Sequence, residues 1–283
     1  MTGHIVPGVE ASIGVFDSGV GGLSVVRRLC ARLPHERILY VADQAHVPYG
    51  GRELGQVCGF ACGISEALLA AGCKAIVMAC NISSATALPV VQSEVPHLPV
   101  LGVILPGAQA AARQTRSGRI GVLATAGTVR SGAYTRALHG INPAVQVMEV
   151  ACPAFVPLVE AGQEASPAAV AAAQEYLAPL RASEVDTVIL GCTHYPFLLP
   201  VLSTLAPDWL FVDPAEQTVQ ELADRLAAGR LLAPARSTPR HRLTTTGEPA
   251  EFAALTRRFL PDATHIADIA PVHWENGELR IFG

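Results

Sequence analysis

Lysine is nearly absent from this 283-residue chain: Lys74 is the only one. Chemistry that needs a Schiff-base amine therefore has one candidate, and it precedes a predicted strand at the end away from the ligand-binding edge of such sheets. Basic residues in general are not in excess. With 20 against 24 acidic residues, and a net charge of −4, the chain lacks the positive footprint of a general nucleic-acid binder. No apolar run approaches the roughly 18–20 residues that span a bilayer. The opening MTGHIVPGVEAS has neither a basic start nor an apolar signal core, so no leader is expected. These absences predict a soluble, cytoplasmic protein that meets neither nucleic acid nor membrane.

Disulfides are also not expected. The seven cysteines (30, 58, 62, 73, 80, 152 and 192) are odd in number and spread through a chain that is 50% hydrophobic, unlike the dense cysteine pattern of small secreted scaffolds. Cys58 and Cys62 lie four apart in a helical pattern, with no CxxC or paired histidines at zinc spacing, and read as small core-facing residues. No metal site is expected. The glycine cluster after the first strand does not match GxGxxG, and no Walker lysine is present.

Short β-branched runs alternate with amphipathic stretches. The pattern predicts strands over 13–16, 37–42, 75–79, 100–104, 120–124, 145–150, 185–190 and 210–212. Helices are expected over 23–33, where Pro34 stops the pattern, and over 54–71, 168–180 and 215–228. Gly72 is placed for a left-handed helix cap. Continuous apolar strands separated by helices predict an α/β fold with parallel sheets covered on both faces.

Within this order lies a repeat. IGVFDS (13–18) and IGVLAT (120–125) each give a strand, a hydroxyl residue and a glycine turn. KAIVMACNISSATALPVV (74–91) and DTVILGCTHYPFLLPVL (186–202) each give a strand, a cysteine, a polar residue and then Leu-Pro-Val. Ile13 to Cys80 spans 67 positions and Ile120 to Cys192 spans 72. Two similar parallel-sheet α/β domains related by a pseudo-twofold axis are therefore expected, with the active site in the cleft between them. The boundaries are 1–104, with 212–283 returning to that half, and 105–211. Residues 215–228 and the closing ELRIF segment (278–282) are expected to pack back onto the first half.

Cys80 and Cys192 each end a strand just before a predicted helix, where ligands collect in open α/β sheets and where a helix N-terminus lowers a thiol pKa. Two opposed thiols suit removal of a proton from one face of a carbon and its return to the other. Without a lysine, the developing charge has to rest on neutral donors. The turns supply Ser18 with Gly19, Gly21 and Gly22, then Asn81, Thr193, Thr125, Gly127 and Thr128. Asp17, at the end of the first strand, is placed to reach the Cys80 sulfur or a substrate ammonium. His194 is placed to orient Cys192 or accept its proton, and Glu160 stands as a further acid.

The segments GVFDSGVGGLSVVR (14–27), VPYG (47–50), ACN (79–81), GTVRSGAY (127–134), CPAFVPLVEAG (152–162) and GCTHYPFLLP (191–200) carry a resemblance. From about residue 13 to about 218, the chain resembles the glutamate racemase branch of the cofactor-independent Asp/Glu racemase superfamily. The resemblance implies interconversion of L- and D-glutamate without a cofactor, with D-glutamate supplied to peptidoglycan, in a homodimer. It implies that Cys80 takes the proton from D-glutamate and Cys192 the proton from L-glutamate. Substrate contacts then fall on Asp17, Ser18, Tyr49, Gly50, Asn81, Thr193 and His194, with Asp43 and Glu160 as auxiliary acids. One departure stands out: Ile82 replaces the threonine that normally follows Cys-Asn in this family, removing a hydroxyl from the substrate-binding set. His46 stands where the family often has arginine. Racemisation of another amino acid such as aspartate, Cys–His hydrolysis through Cys192 alone, and a non-catalytic regulatory role remain as alternatives.

Overall fold

The computed structural model describes residues 8–261 and 265–281. Residues 1–7, part of the stretch read for a leader, and Phe282 of the expected closing segment lie outside them. The first domain begins with β1 (Ile13–Asp17), α1 (Leu23–Arg32), β2 (Ile38–Ala42), α2 (Leu54–Ala70), β3 (Ala75–Met78), α3 (Asn81–Glu94) and β4 (Val100–Gly102). After α4 (Ile104–Gln114), the second domain runs through β5 (Arg119–Ala124), α5 (Ala126–Ser131), α6 (Ala133–Ile141), β6 (Gln146–Ala151), α7 (Phe155–Glu160), α8 (Pro167–Ala182), β7 (Thr187–Gly191), α9 (Leu199–Leu205) and β8 (Leu210–Val212). The chain then returns through α10 (Pro214–Ala228), β9 (His241–Thr245), α11 (Pro249–Phe259), β10 (Ile266–Pro271) and a hairpin of β11 (His273–Glu275) and β12 (Glu278–Arg280).

Both large sheets are parallel throughout. Their orders are β10-β9-β2-β1-β3-β4 and β6-β5-β7-β8. The repeat read in the sequence is thus a repeat of topology: β2-β1-β3-β4 and β6-β5-β7-β8 have the same order. In each, the strand order reverses beside the first strand, so a crevice opens between the ends of β1 and β3 and between those of β5 and β7. Every residue of β1, β2 and β7 is buried, as expected for strands covered on both faces. Ile13 and Val15 point to one layer of core, while Phe16 points to the other with Ile64 and Leu68 of α2. Gly72 has the expected positive φ, +77°.

Several elements differ from expectation. The strand expected over 100–104 stops at Gly102, and Ile104 opens α4. The cause is Ser84: its hydroxyl accepts from the Val103 N–H at 3.2 Å, turning the chain. A Cβ at Gly102 would lie 2.9 Å from the Ser84 side chain, so the close approach requires glycine. Two strands that the pattern did not reveal, β9 and β10, extend the first sheet beyond β2. The hairpin packs on α2, with Leu279 and Ile281 in the same core cluster as Ile64 and Leu68. Helix α10 packs against α4 as well as α1, so it bridges rather than returning only to the first half. Among the described residues no helix is long and apolar enough to cross a membrane, and all seven cysteines are free.

Candidate active site

The strand ends of both domains face one cavity of about 480 Å³. All thirteen residues singled out as catalytic or substrate-binding line it: Asp17, Ser18, Tyr49, Gly50, Cys80, Asn81, Ile82, Thr125, Thr128, Glu160, Cys192, Thr193 and His194. Asp43 does not; it lies behind Tyr49. The lining also includes Cys152, Pro153, Val156 and Pro157, from the segment of which only Glu160 had been given a role, and it contains no lysine or arginine. Lys74 is far from this chemistry. Its Nζ lies 2.6 Å from Glu36 Oε2 and donates to the carbonyls of Leu231, at 2.7 Å, and Val9. No cluster of three or more His, Cys, Asp and Glu among the described residues is arranged to hold a metal ion.

On the first domain's side, Asp17 ends β1 and is buried. Its Oδ2 accepts from the N–H groups of Gly22, at 2.9 Å, and Gly19, at 3.4 Å, and from the Thr193 hydroxyl at 3.4 Å. Burial pushes the carboxyl above the usual range, against the pull of His194, those two N–H groups and the Cys80 thiol. Cys80 follows β3 and caps α3. Burial and the neighbouring Asp17 charge push its thiol up to about 11, even though Ser83 and the Ser18 N–H favour the thiolate. The lowered pKa expected from the helix N-terminus is therefore overruled by desolvation.

Cys192 follows β7, and burial likewise pushes it well above the ordinary thiol range, with Asp17 and Cys80 adding to the effect. It enters a 3₁₀ turn, Tyr195–Leu198, rather than the α-helix expected from the sequence. His194 Nδ1 lies 3.8 Å from the Cys192 sulfur, and Nε2 lies 3.0 Å from Oε1 of Glu160, the last residue of α7. The domains touch closely here: a Cβ at Gly21 would lie 2.3 Å from Thr193 Oγ1 and 2.5 Å from His194 Nδ1. Only a bare backbone fits between them.

Neutral donors surround the thiols. The Tyr134 hydroxyl of α6 donates to Asn81 Oδ1 at 2.6 Å, leaving the Asn81 amide hydrogens for a ligand. Thr125 caps α5 by accepting from the Thr128 N–H at 3.4 Å, and the two hydroxyls lie 3.0 Å apart. Ile82 is buried with Tyr49, Val57 and Cys80. Its Cδ1 would be 2.3 Å from a Cβ at Gly127, so the branched alkyl group occupies the seam between the domains. The loop bearing Tyr49 and Gly50 hangs on Asp43. That carboxylate accepts from the Tyr49 hydroxyl at 2.6 Å, the Trp274 indole at 2.8 Å and the Thr246 hydroxyl at 3.0 Å, and lies 2.8 Å from His46 Nδ1. His46 in turn stacks on Phe60, ring centroids 3.9 Å apart. Sequence reading missed Tyr134 and Trp274 as supports; only Tyr134 lies in a quoted motif.

Comparison with known proteins agrees with the two-domain α/β fold. The family described as Asp/Glu/Hydantoin racemase matches residues 17–222. The chain is 44% identical to a glutamate racemase of Beutenbergia cavernae over 279 residues, covering 94% of this chain and 95% of that one. It superposes with a TM-score of 0.86 on the crystal structure of glutamate racemase isoform RacE1 from Bacillus anthracis, at 37% identity, covering 95% of this chain and 98% of the other. The Francisella tularensis glutamate racemase, solved in complex with D-glutamate, gives a TM-score of 0.86 at 33% identity, with coverage of 92% and 97%. With its fold and most of its length matched in this way, the chain belongs to the Asp/Glu/hydantoin racemase family and is an amino-acid racemase of the glutamate racemase branch.

Proposed function

We propose that this enzyme interconverts L- and D-glutamate by a two-base reaction in which Cys192 serves one face of the α-carbon and Cys80 the other. The observation that carries the reading is the placement of two thiols, from corresponding turns of the two domains, in one cavity, each beside its own acid–base group. Burial holds both sulfurs protonated in the free protein. The Asp17 charge raises both, so a substrate ammonium placed against Asp17 makes a thiolate easier to form. Cys192 passes its proton to His194, which Glu160 orients. On the opposite side, Asp17 is the acceptor beside Cys80.

With L-glutamate, the Cys192 thiolate takes the α-proton and the C–H electron pair spreads into the α-carboxylate. The Cys80 S–H then delivers its proton to the other face, forming the inverted C–H bond and leaving a thiolate. D-glutamate follows the reverse path. The carboxylates rest on the Asn81 amide, the hydroxyls of Ser18, Thr125, Thr128 and Thr193, and the unpaired N–H groups of the first turn of α3. The Ile82 side chain adds no donor there, so its backbone N–H has to serve. The only lysine is ion-paired at the far end of the sheet, which leaves no amine for a Schiff base in the cavity. The resemblance to the branch also supports a cytoplasmic homodimer acting without a cofactor, with its D-glutamate directed to peptidoglycan.

The reading is tested by incubating each glutamate enantiomer with the enzyme in heavy water and following optical rotation and α-deuterium. We expect label entry without added cofactor, and losses of about 10³-fold or more in both Cys80→Ser and Cys192→Ser. Full racemisation by either variant would overturn the assignment, and faster turnover of aspartate would move the substrate.

A further inference from the structure

Helix α11 belongs to the first domain, since it connects β9 to β10, yet its last turn reaches across to the second. The Arg258 guanidinium donates to the carbonyls of Val159, at 2.5 Å, and Glu160, at 3.1 Å, and pairs with the Glu164 carboxylate. Those carbonyls belong to the end of α7, where a helix leaves acceptors without intrahelical partners. Gly162, with φ of +73°, turns the chain just beyond, and a Cβ there would meet the guanidinium carbon at 3.6 Å. The next residue, Phe259, sets its ring against His194, centroids 6.0 Å apart and nearly perpendicular, and against Phe197 at 4.7 Å. The end of α11 thus holds both the residue that orients His194 and the imidazole itself.

We propose that Arg258 is a positioning residue for the Cys192 half of the reaction. It fixes the end of α7 so that the Glu160 carboxylate meets His194 Nε2, and His194 in turn presents Nδ1 to the Cys192 sulfur. This inference rests on the two-thiol reading above. On the Cys80 side α11 contributes Phe252, stacked on Tyr40 with ring centroids 6.3 Å apart, but Arg258 has no part in that contact, so the effect of replacing Arg258 is one-sided. A guanidinium is suited to the task, because its rigid fork serves two carbonyls and a carboxylate together, which an ammonium cannot do in the same geometry.

The one-sidedness gives the test. A racemase has an equilibrium constant of one, so Arg258→Ala must lower kcat/KM equally in both directions; we expect about tenfold. The primary isotope effects need not change together. With α-deuterated L-glutamate the C–D bond breaks at Cys192, so its isotope effect on kcat/KM rises. With α-deuterated D-glutamate the bond breaks at Cys80, and its isotope effect falls toward one. Arg258→Lys is expected to shift both in the same senses by a smaller amount, which keeps the test intact if the alanine variant folds poorly. Isotope effects that change alike for both enantiomers, or not at all, would mean that Arg258 only stabilises the fold, and would overturn the proposal. Cys192→Ser, run beside it, separates the two claims. If that variant is inactive, such a result removes only the Arg258 assignment; if it racemises fully, the two-thiol reading falls as well.

Discussion

Ile82 and Gly127 meet across the seam of the two domains with no space for another atom: a Cβ at position 127 would lie 2.3 Å from the Ile82 side chain and 2.9 Å from the Gly50 carbonyl oxygen. Gly127→Ala should therefore push the Tyr49–Gly50 loop and α3 away from α5, lowering kcat/KM for glutamate about tenfold, mainly through KM. Adding Ile82→Ala to the same chain removes the obstructing branch. Steady-state kinetics on the double variant should recover much of the loss, and a double variant no better than the single one would show that the Ile82 branch is not the cause. The residues that line the cavity were legible in the sequence because cysteines, threonines and Asp17 lie at strand ends, and in a parallel sheet that place alone brings them to one edge. Their supports were not legible. Trp274 reaches Asp43 across 231 positions and Arg258 reaches Glu160 across 98, and no local pattern announces a contact of that kind. Nor was the protonation of the thiols, since the helix N-terminus is a local feature whereas desolvation depends on the closed cavity.

Lys74 shows what an element junction can require. It precedes β3, is fully buried with Glu36, and ties that region to the carbonyls of Val9 and Leu231. Lys74→Met leaves the Glu36 carboxylate buried without its cation. Urea unfolding should register a loss of about 3–5 kcal/mol, with the activity per folded molecule unchanged. A neutral change in stability would mean that the pair is no more than a substitute for apolar packing. The elements flanking this region had unequal signals. The strands β1, β3, β5 and β7 are largely apolar runs and were read to within one or two residues at each end. Helix α4 is rich in alanine and begins one residue after a strand, so its start merged with the apolar run before it. Strand β9, HRLTT, has a single aliphatic residue, Leu243, and so carries no apolar run or alternation to stand out. It becomes a strand because the edge of β2 is open to it.

At the scale of the whole molecule, burial of ionisable groups sets a pH window for folding. His241 is held down to about 4 by burial and by His265. The unfolded chain takes up that proton near pH 6.5, so stability is full above that value and is lost as the pH falls toward 4. The cysteines act in the opposite direction. Burial pushes Cys30 to about 11 and Cys73 to about 12, as it does Cys80 to about 11. Unfolded thiols ionise near pH 8.5, so stability is full below that value and is lost as the pH rises toward 11–12. Urea midpoints measured across this range should form a plateau between about pH 6.5 and 8.5 that declines on both sides; a midpoint still rising at pH 10 would contradict the burial of the thiols.

The two halves of the molecule repeat each other in topology but not in their access to solvent. Glu160, behind His194, keeps 44% of its side chain exposed, whereas Asp17, beside Cys80, is 1% exposed. In the reaction drawn above, a hydrogen gained by Cys192 has an outlet to bulk water through the imidazole and the carboxylate, while one gained by Cys80 is shut in. On the proposed two-thiol reading, the catalyst would retain a memory of which enantiomer it last consumed, and that memory would outlive the departure of product on one flank only.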